Sequence, residues 1–427
     1  MRPERMTTEE SQPDVAERPD GGSRAYPNLR HIRLLDYAAS LGSLSRAAEA
    51  VRISQPAASQ AISRLEELYG GALLERRGGG VLVTERGALV VARARRALDL
   101  LREATARLGR QQRTAKRPAG DLLETHATIA HLRALAGFAA AGSFSGAARR
   151  VQQAEPSVQR AAREVERICG VPLFSGRQQG IRLTPAGAAL ASAGSLVLRE
   201  LESAVEEVRE LDGSFDGRVV IGTLPSVRTR VVPDAVAMLT RAHPRAWIEI
   251  VDGPYQTLLN SLLIGSMDVL VGALRGDTSA KGIGEETLYY EDLSVVARSG
   301  HPLVAKREVT FADLGGYSWI LPREGTPTRS IFERMVRDNQ IRLSDTGIIE
   351  TGSLVALRGI LLETDRLTLI SRRQIAYEEM TGLLGVVPLQ LPGTERPIGI
   401  TIRRGWKPTK LQAELVDQLR KAARRAH

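Results

Sequence analysis

Residues 53–66 read ISQPAASQAISRLE, and one hundred positions later residues 153–166 read QAEPSVQRAAREVE. The first stretch decides how the chain is read. From Gln55 onward, Ala58, Ala61, Ile62, Leu65 and Leu68 recur at three- and four-residue spacing, the mark of a helix burying one stripe. Ser54 suits the N-cap, and Pro56 suits the first turn, where its missing N–H costs nothing. The opposite face carries Gln55, Ser59, Gln60 and Ser63. Short hydrogen-bonding side chains on an exposed helix face suit base edges in a major groove, and the helix N-terminus suits a phosphate. The competing reading is an ordinary solvated face.

Working outward, the flanks repeat too. Residues 31–87 lie over 131–187 without a gap: His31, Arg33, Leu35 and Ala39 recur as His131, Arg133, Leu135 and Ala139. Gly42, Ser43, Ser45, Ala47, Ala48, Val51, Pro56, Glu66, Gly70, Leu73, Thr84 and Gly87 also have twins. Each unit predicts a helix, a short helix, a turn, the helix above and a two-stranded wing. Ser43 or Ser45 can cap the short helix. Ser45 also stands where it can meet DNA, and Arg76 and Arg77, placed at the base of the wing, suit phosphate contacts.

The stretch GSLSRAAEAVRISQPAASQAISRLEELYGGALLERRGGGVLVTERG, 42–87, resembles the winged helix-turn-helix of LysR-type transcriptional regulators. The resemblance implies a recognition helix starting near Ser54, with Gln55, Pro56, Ser59 and Gln60 facing DNA. The family usually carries one such unit; this chain carries two. The second copy keeps the scaffold and rewrites the face: Ala154, Glu155, Gln159, Arg160 and Arg163 replace Ser54, Gln55, Ser59, Gln60 and Ser63. It has eight Arg against three Glu over 131–187, so it remains basic enough to meet DNA through Gln159, Arg160 and Arg163. The alternative is a unit kept for packing or dimerisation.

A long helix is predicted after each unit. Val90, Ala94, Ala97, Leu101, Ala104 and Leu108 form one apolar stripe, and Leu190, Ala193, Val197, Leu201, Val205, Val208 and Leu211 form the other. Such a stripe needs a partner helix. By family analogy each is a dimerisation helix.

From about Gly217 short strand-like runs alternate with helical ones, predicting an α/β domain with mostly parallel sheets. Ligands in such sheets sit beyond the carboxyl ends of the strands. There stand Thr223, Pro225 and Ser226, then Thr326 and Thr328, then Thr351 and Ser353. Hydroxyl-bearing helix N-termini suit an anionic or polyhydroxylated ligand, although plain N-capping explains each residue singly. This half resembles the family's effector domain, a two-lobed fold like that of periplasmic binding proteins.

The expected organisation is therefore multidomain. It runs as a disordered arm over 1–27, a winged helix-turn-helix with linker helix over 28–112, a basic linker over 113–125, and a second such unit over 126–213. The α/β effector domain follows over 217–427, with lobe one at 217–280 and 375–427 and lobe two at 287–371.

Bulk properties agree. A net charge of +10 favours a polyanionic partner. Aromatic content of only 4% leaves packing to aliphatic residues. The single cysteine, Cys169, cannot form an internal disulfide and reads as a core residue in a reducing compartment. The six histidines show no metal-ligand spacing, and neither a nucleophile elbow nor a phosphate-binding loop is present. The expectation is a cytoplasmic, non-enzymatic regulator that needs no cofactor or metal. It binds double-stranded DNA and a small effector, avoids membranes, and works as a homodimer or homotetramer. The competing readings are an architectural DNA binder whose C-terminal half only oligomerises, and an enzyme fused to a DNA-binding module.

Overall fold

The structure, a computed structural model, describes residues 26–78, 80–111, 123, 125–176, 180–276, 282–343 and 347–425. The expected arm and basic linker fall almost wholly outside the described residues.

In the first unit, α1 (Leu29–Leu41) is capped by Asn28, whose side chain accepts from Arg30 N, and it stops at Gly42 in the left-handed conformation. Ser43 caps α2 (Leu44–Val51). Ser54 caps α3 (Gln55–Leu68), with Pro56 in its first turn. The wing pairs β1 (Leu74–Arg77) with β2 (Gly80–Val83), antiparallel. Ala58, Ala61, Ile62 and Leu65 are buried, so the stripe in the sequence is the face that packs.

The second unit repeats this with α5 (Ile129–Ala141), α6 (Phe144–Val151), α7 (Glu155–Cys169) and a shorter wing, β3 (Phe174–Ser175) with β4 (Arg182–Leu183). The repeat extends to individual hydrogen bonds. Glu66 accepts from the backbone N–H groups of Leu73 and Leu74; Glu166 accepts from Leu173 and Phe174. Thr84 Oγ1 donates to Ala72 O and accepts from Gly87 N; Thr184 does the same with Pro172 O and Gly187 N. The second core differs in one respect. Phe138, Phe144 and Phe174 form a ring cluster with centroids 4.7–5.4 Å apart, at the positions of Ala38, Leu44 and Leu74.

Each unit continues into a 27-residue linker helix, α4 (Glu85–Gln111) and α8 (Pro185–Leu211). These two helices pack on each other within the chain. Val90, Ala94, Ala97, Leu98 and Leu101 meet Leu190, Val197, Leu198 and Leu201 in a core that joins both units. Within the chain, each stripe is thus covered by the other linker helix. Arg86 pairs with Asp212, Arg93 with Glu207 and Glu200, and Arg96 with Glu200, so the helices run antiparallel.

The C-terminal domain has two lobes, each a five-stranded sheet covered on both faces. Lobe one orders β6 (Trp247–Asp252), β5 (Arg218–Thr223), β7 (Val269–Ala273), β14 (Arg396–Arg403) and β8 (Ile283–Glu291). Lobe two orders β11 (Ile349–Glu350), β10 (Trp319–Leu321), β12 (Leu367–Ile370), β9 (Ser294–Arg298) and β13 (Leu384–Val386). Two expectations change. The sheets are mixed, because β14 runs antiparallel to β7 and β8, and β9 antiparallel to β12 and β13. The lobe limits shift as well: 287–291 belong to lobe one through β8, and 384–386 to lobe two through β13. The chain therefore crosses between lobes after Glu291 and again between Val386 and Arg396.

Lobe one is fastened to the linker helices. The Glu210 carboxylate accepts from Lys410 N and Leu411 N at 2.9 and 3.0 Å, capping the C-terminal helix α15 (Lys410–Arg425). Arg93 donates to Lys407 O and Arg96 to Gly405 O. Buried Asp268 accepts from Val220 N and Gln412, and it also pairs with Arg199 of α8.

Candidate DNA-reading and effector sites

On α3 the residues expected to face DNA are available. Ser54, Gln55, Pro56, Gln60 and Ser63 are exposed, Ser59 is half-buried, and Ser45 is exposed in the first turn of α2. Ser54 Oγ accepts from Ala57 N, which keeps the first turn of α3 in place while its polar face stays free. Arg76 and Arg77 are also exposed, but not at the base of the wing. The register pairs Arg77 with Gly80, so both stand at the hairpin tip, where a side chain reaches furthest from the body.

On α7, Gln159 and Arg160 are exposed, with Glu155 at the helix start. Arg163 is not free as expected. Its guanidinium pairs with Glu166 at 2.8 Å and lies 4.9 Å from the Phe174 ring centre. Phe174 replaces Leu74 and provides an aromatic face for a cation, which turns Arg163 toward the wing. Ala154 lacks a hydroxyl and makes no side-chain cap. Glu155 at the first turn sits well with the helix dipole instead.

The effector candidates separate into two groups. Thr326 and Ser353 cap α12 (Pro327–Asp338) and α13 (Leu354–Leu362), Thr351 Oγ1 accepts from Ser353 N, and Thr328 Oγ1 accepts from Arg396. Thr223, fully buried at the end of β5, donates to Val251 O and accepts from Arg228 Nε. Ser226 differs. It sits in the turn Pro225–Val227, is 7% exposed, and its Oγ finds no hydrogen-bond partner among the described residues. That turn packs against the turn Arg372–Ile375 of lobe two, so the two lobes meet at Ser226.

Two cleft residues escaped the sequence reading. Arg275, just beyond β7, lies 4.4 Å from the centre of the Tyr255 ring and donates to Gly325 O of lobe two. Burial pushes the Tyr255 hydroxyl up, Glu285 adding to the shift, and that hydroxyl too finds no hydrogen-bond partner among the described residues. An arginine following a strand and an aromatic following Gly253–Pro254 were the available signals. Three histidines have structural partners: His243 meets Glu414, His301 Nδ1 accepts from Leu303 N, and His131 Nδ1 accepts from Thr128 N. Among the described residues no three His, Cys, Asp or Glu side chains gather as a metal site.

Comparison with known proteins settles the family. The model of the bacterial regulatory helix-turn-helix protein, lysR family, matches twice, at 29–88 and 129–188, and the LysR substrate binding domain matches 212–424. The chain belongs to the LysR family of transcriptional regulators. It is a DNA-binding transcriptional regulator whose C-terminal domain binds a small effector. It is 31% identical over 379 residues to the regulator GalR of Pseudomonas putida, which covers 89% of this chain and 93% of GalR. The regulator PcaQ of Agrobacterium fabrum matches at 28%, covering 94% of PcaQ but only 69% of this chain. A full-length OxyR variant of Pseudomonas aeruginosa shares the fold, with a TM-score of 0.53 at 21% identity over 70% of this chain and 95% of OxyR. No described helix is long and apolar enough to cross a membrane.

Proposed function

We propose that this regulator reads DNA through the free polar face of α3 and takes a small anionic effector between its lobes, at Ser226. The observation that carries the DNA assignment is the contrast on α3 between a fully packed apolar stripe and exposed Gln55, Gln60 and Ser63. Ser45, Ser54, Pro56 and Ser59 support this face, and Arg76 and Arg77 at the wing tip take phosphates.

In the cleft, unpartnered Ser226 Oγ and Tyr255 OH beside Arg275 fit a carboxylate. Thr223 shapes that wall through Arg228. Thr326, Thr328, Thr351 and Ser353 are better described as the caps and braces that shape the opposite wall. Anchoring of lobe one on Glu210, Arg93 and Arg96 gives the cleft a rigid path to the reading units. A DNA partner fits a cytoplasmic protein, and relatives that are transcriptional regulators support a non-enzymatic reading.

The linker helices already cover each other, so a homo-oligomer must be built through the effector domains. A homodimer satisfies this. The test combines a footprint on the protein's own upstream region with thermal shifts against a panel of small carboxylates. Gln55→Ala with Gln60→Ala should abolish protection, and Ser226→Ala should abolish the shift. Protection that survives the first pair of substitutions would move the reading face elsewhere.

A further inference from the structure

We infer that one chain is a complete two-reader DNA head, and that it binds a single duplex whose two half-sites differ in sequence. This rests on the DNA-reading assignment above and adds to it the nature of the site.

The first ground is the pairing of α4 with α8. With the hundred-residue offset removed, Arg86 faces the position of residue 112, Arg93 those of 100 and 107, and Arg96 that of 100. Two like helices that cross antiparallel near the same point, here Leu98 and Leu198, are related by an approximate two-fold axis. Each carries its own unit through the same contacts, Thr84 and Gly87 in one and Thr184 and Gly187 in the other. The two units therefore form a pair like that of a symmetric dimer, but within one polypeptide.

The second ground is that this pairing is chemically exclusive. In every ion pair across this seam among the described residues, the cation belongs to α4 and the anion to α8. The twins of Arg93 and Arg96 are Ala193 and Leu196; those of Glu200 and Glu207 are Leu100 and Arg107. Two α4 helices together would set Arg93 against Leu100 and Arg107. Two α8 helices together would leave Glu200 buried without a cation. A buried charge without its partner is costly, so the unlike pair is selected over both like pairs. The antiparallel arrangement also brings the end of α4 beside the start of α8 and hence beside the second unit.

The third ground is that the reading faces are unlike. α3 offers Gln55, Gln60 and Ser63 behind a hydroxyl cap; α7 offers Gln159 and Arg160 with Glu155 in its first turn. Gln pairs with adenine and Arg with guanine in the major groove. The first wing has four-residue strands tipped by Arg76 and Arg77; the second has two-residue strands carrying Ser175. Joined unlike readers recognise an asymmetric site and so fix the direction in which the protein sits on it.

The test selects binding sites from a random-sequence duplex library with the full-length protein. It then measures binding to the selected site and to two symmetrised versions, each carrying one half-site twice. The expected result is an asymmetric consensus, with both symmetrised duplexes bound about tenfold or more weakly, the effect of losing one specific base contact. Arg160→Ala, an exposed position, should relax selection in one half only, and Gln60→Ala in the other. Identical half-sites within the span of one head, a symmetrised duplex bound as tightly as the selected one, or Arg160→Ala without effect on selection would each overturn the inference while leaving DNA reading intact. Failure to select any sequence would sink both.

Discussion

The Arg93 guanidinium of the first linker helix lies 2.9 Å from the Glu200 carboxylate of the second, and both side chains are about 5% exposed or less. Arg96 reaches the same carboxylate at 3.0 Å, and Glu207 takes the other side of Arg93. Removing one member of such a buried group leaves a charge uncompensated, which costs about 3–5 kcal/mol. Glu200→Leu should fall at the lower end, because Glu207 still serves Arg93. The double variant Arg93→Ala/Glu200→Leu, which installs the residues of the twin positions, should recover part of the loss. Urea midpoints of the four proteins in this cycle measure the coupling. Strict additivity would mean that the pair is not the lock between the helices.

Glu200 also predicts a pH dependence. Burial by itself would raise its pKa, but hydrogen bonds from Arg96 and Arg93 outweigh burial and hold it below the ordinary value. A carboxylate held down stabilises the fold above the unfolded glutamate value of about 4.3, and that contribution is lost as pH falls through the folded pKa. Stability of the wild type should therefore decline more steeply below about pH 4.3 than that of Glu200→Gln. Denaturation midpoints for the two proteins across the acid range decide this; parallel curves would place the titration elsewhere.

Much of this was legible in the sequence, for a physical reason. A helix stripe is a local property, and the stripe of α3 packed as its spacing required. Partner choice is not local. The linker stripes announce that something covers them, and only the three-dimensional pairing shows that they cover each other. The signal was present in the polar residues interrupting the stripes, Arg93 and Arg96 in one and Glu200 and Glu207 in the other. Arg163 escaped because its fate depends on Phe174, eleven residues away in the wing. Strand β8 escaped because Glu285 and Glu286 break its apolar pattern, and sheet direction escaped because the pairing of β14 joins distant segments.

On the DNA side, base-edge and phosphate contacts should separate by their salt response. Arg76→Ala and Arg77→Ala should weaken binding to all sequences alike, each lowering the slope of log affinity against log salt by about one. Gln55→Ala should cost about 1–3 kcal/mol on the preferred sequence and little on others, with the slope unchanged. Titrations at several salt concentrations on a specific and a random duplex check both. A slope unmoved by the wing arginines would take them off the backbone.

Cys169 ends α7, packed in the core of the second unit, and burial pushes its thiol up to about 12. The thiolate is the reactive form, so the native protein should resist thiol reagents at mildly alkaline pH. Labelling should then report opening of the second unit, and Gly187→Ala supplies the contrast. An alanine Cβ there would stand 2.1 Å from Leu173 O, as one at Gly87 would stand 2.1 Å from Leu73 O. Either substitution forces the wing away from its linker helix and should cost about 1–3 kcal/mol or more. Gly187→Ala should speed labelling of Cys169, whereas Gly87→Ala should destabilise the first unit and change the labelling rate less. Mass spectrometry of timed labelling reads both. Equal acceleration by the two variants would mean that the paired units open together, as their shared core allows, and would make the linker-helix pair one cooperative folding unit.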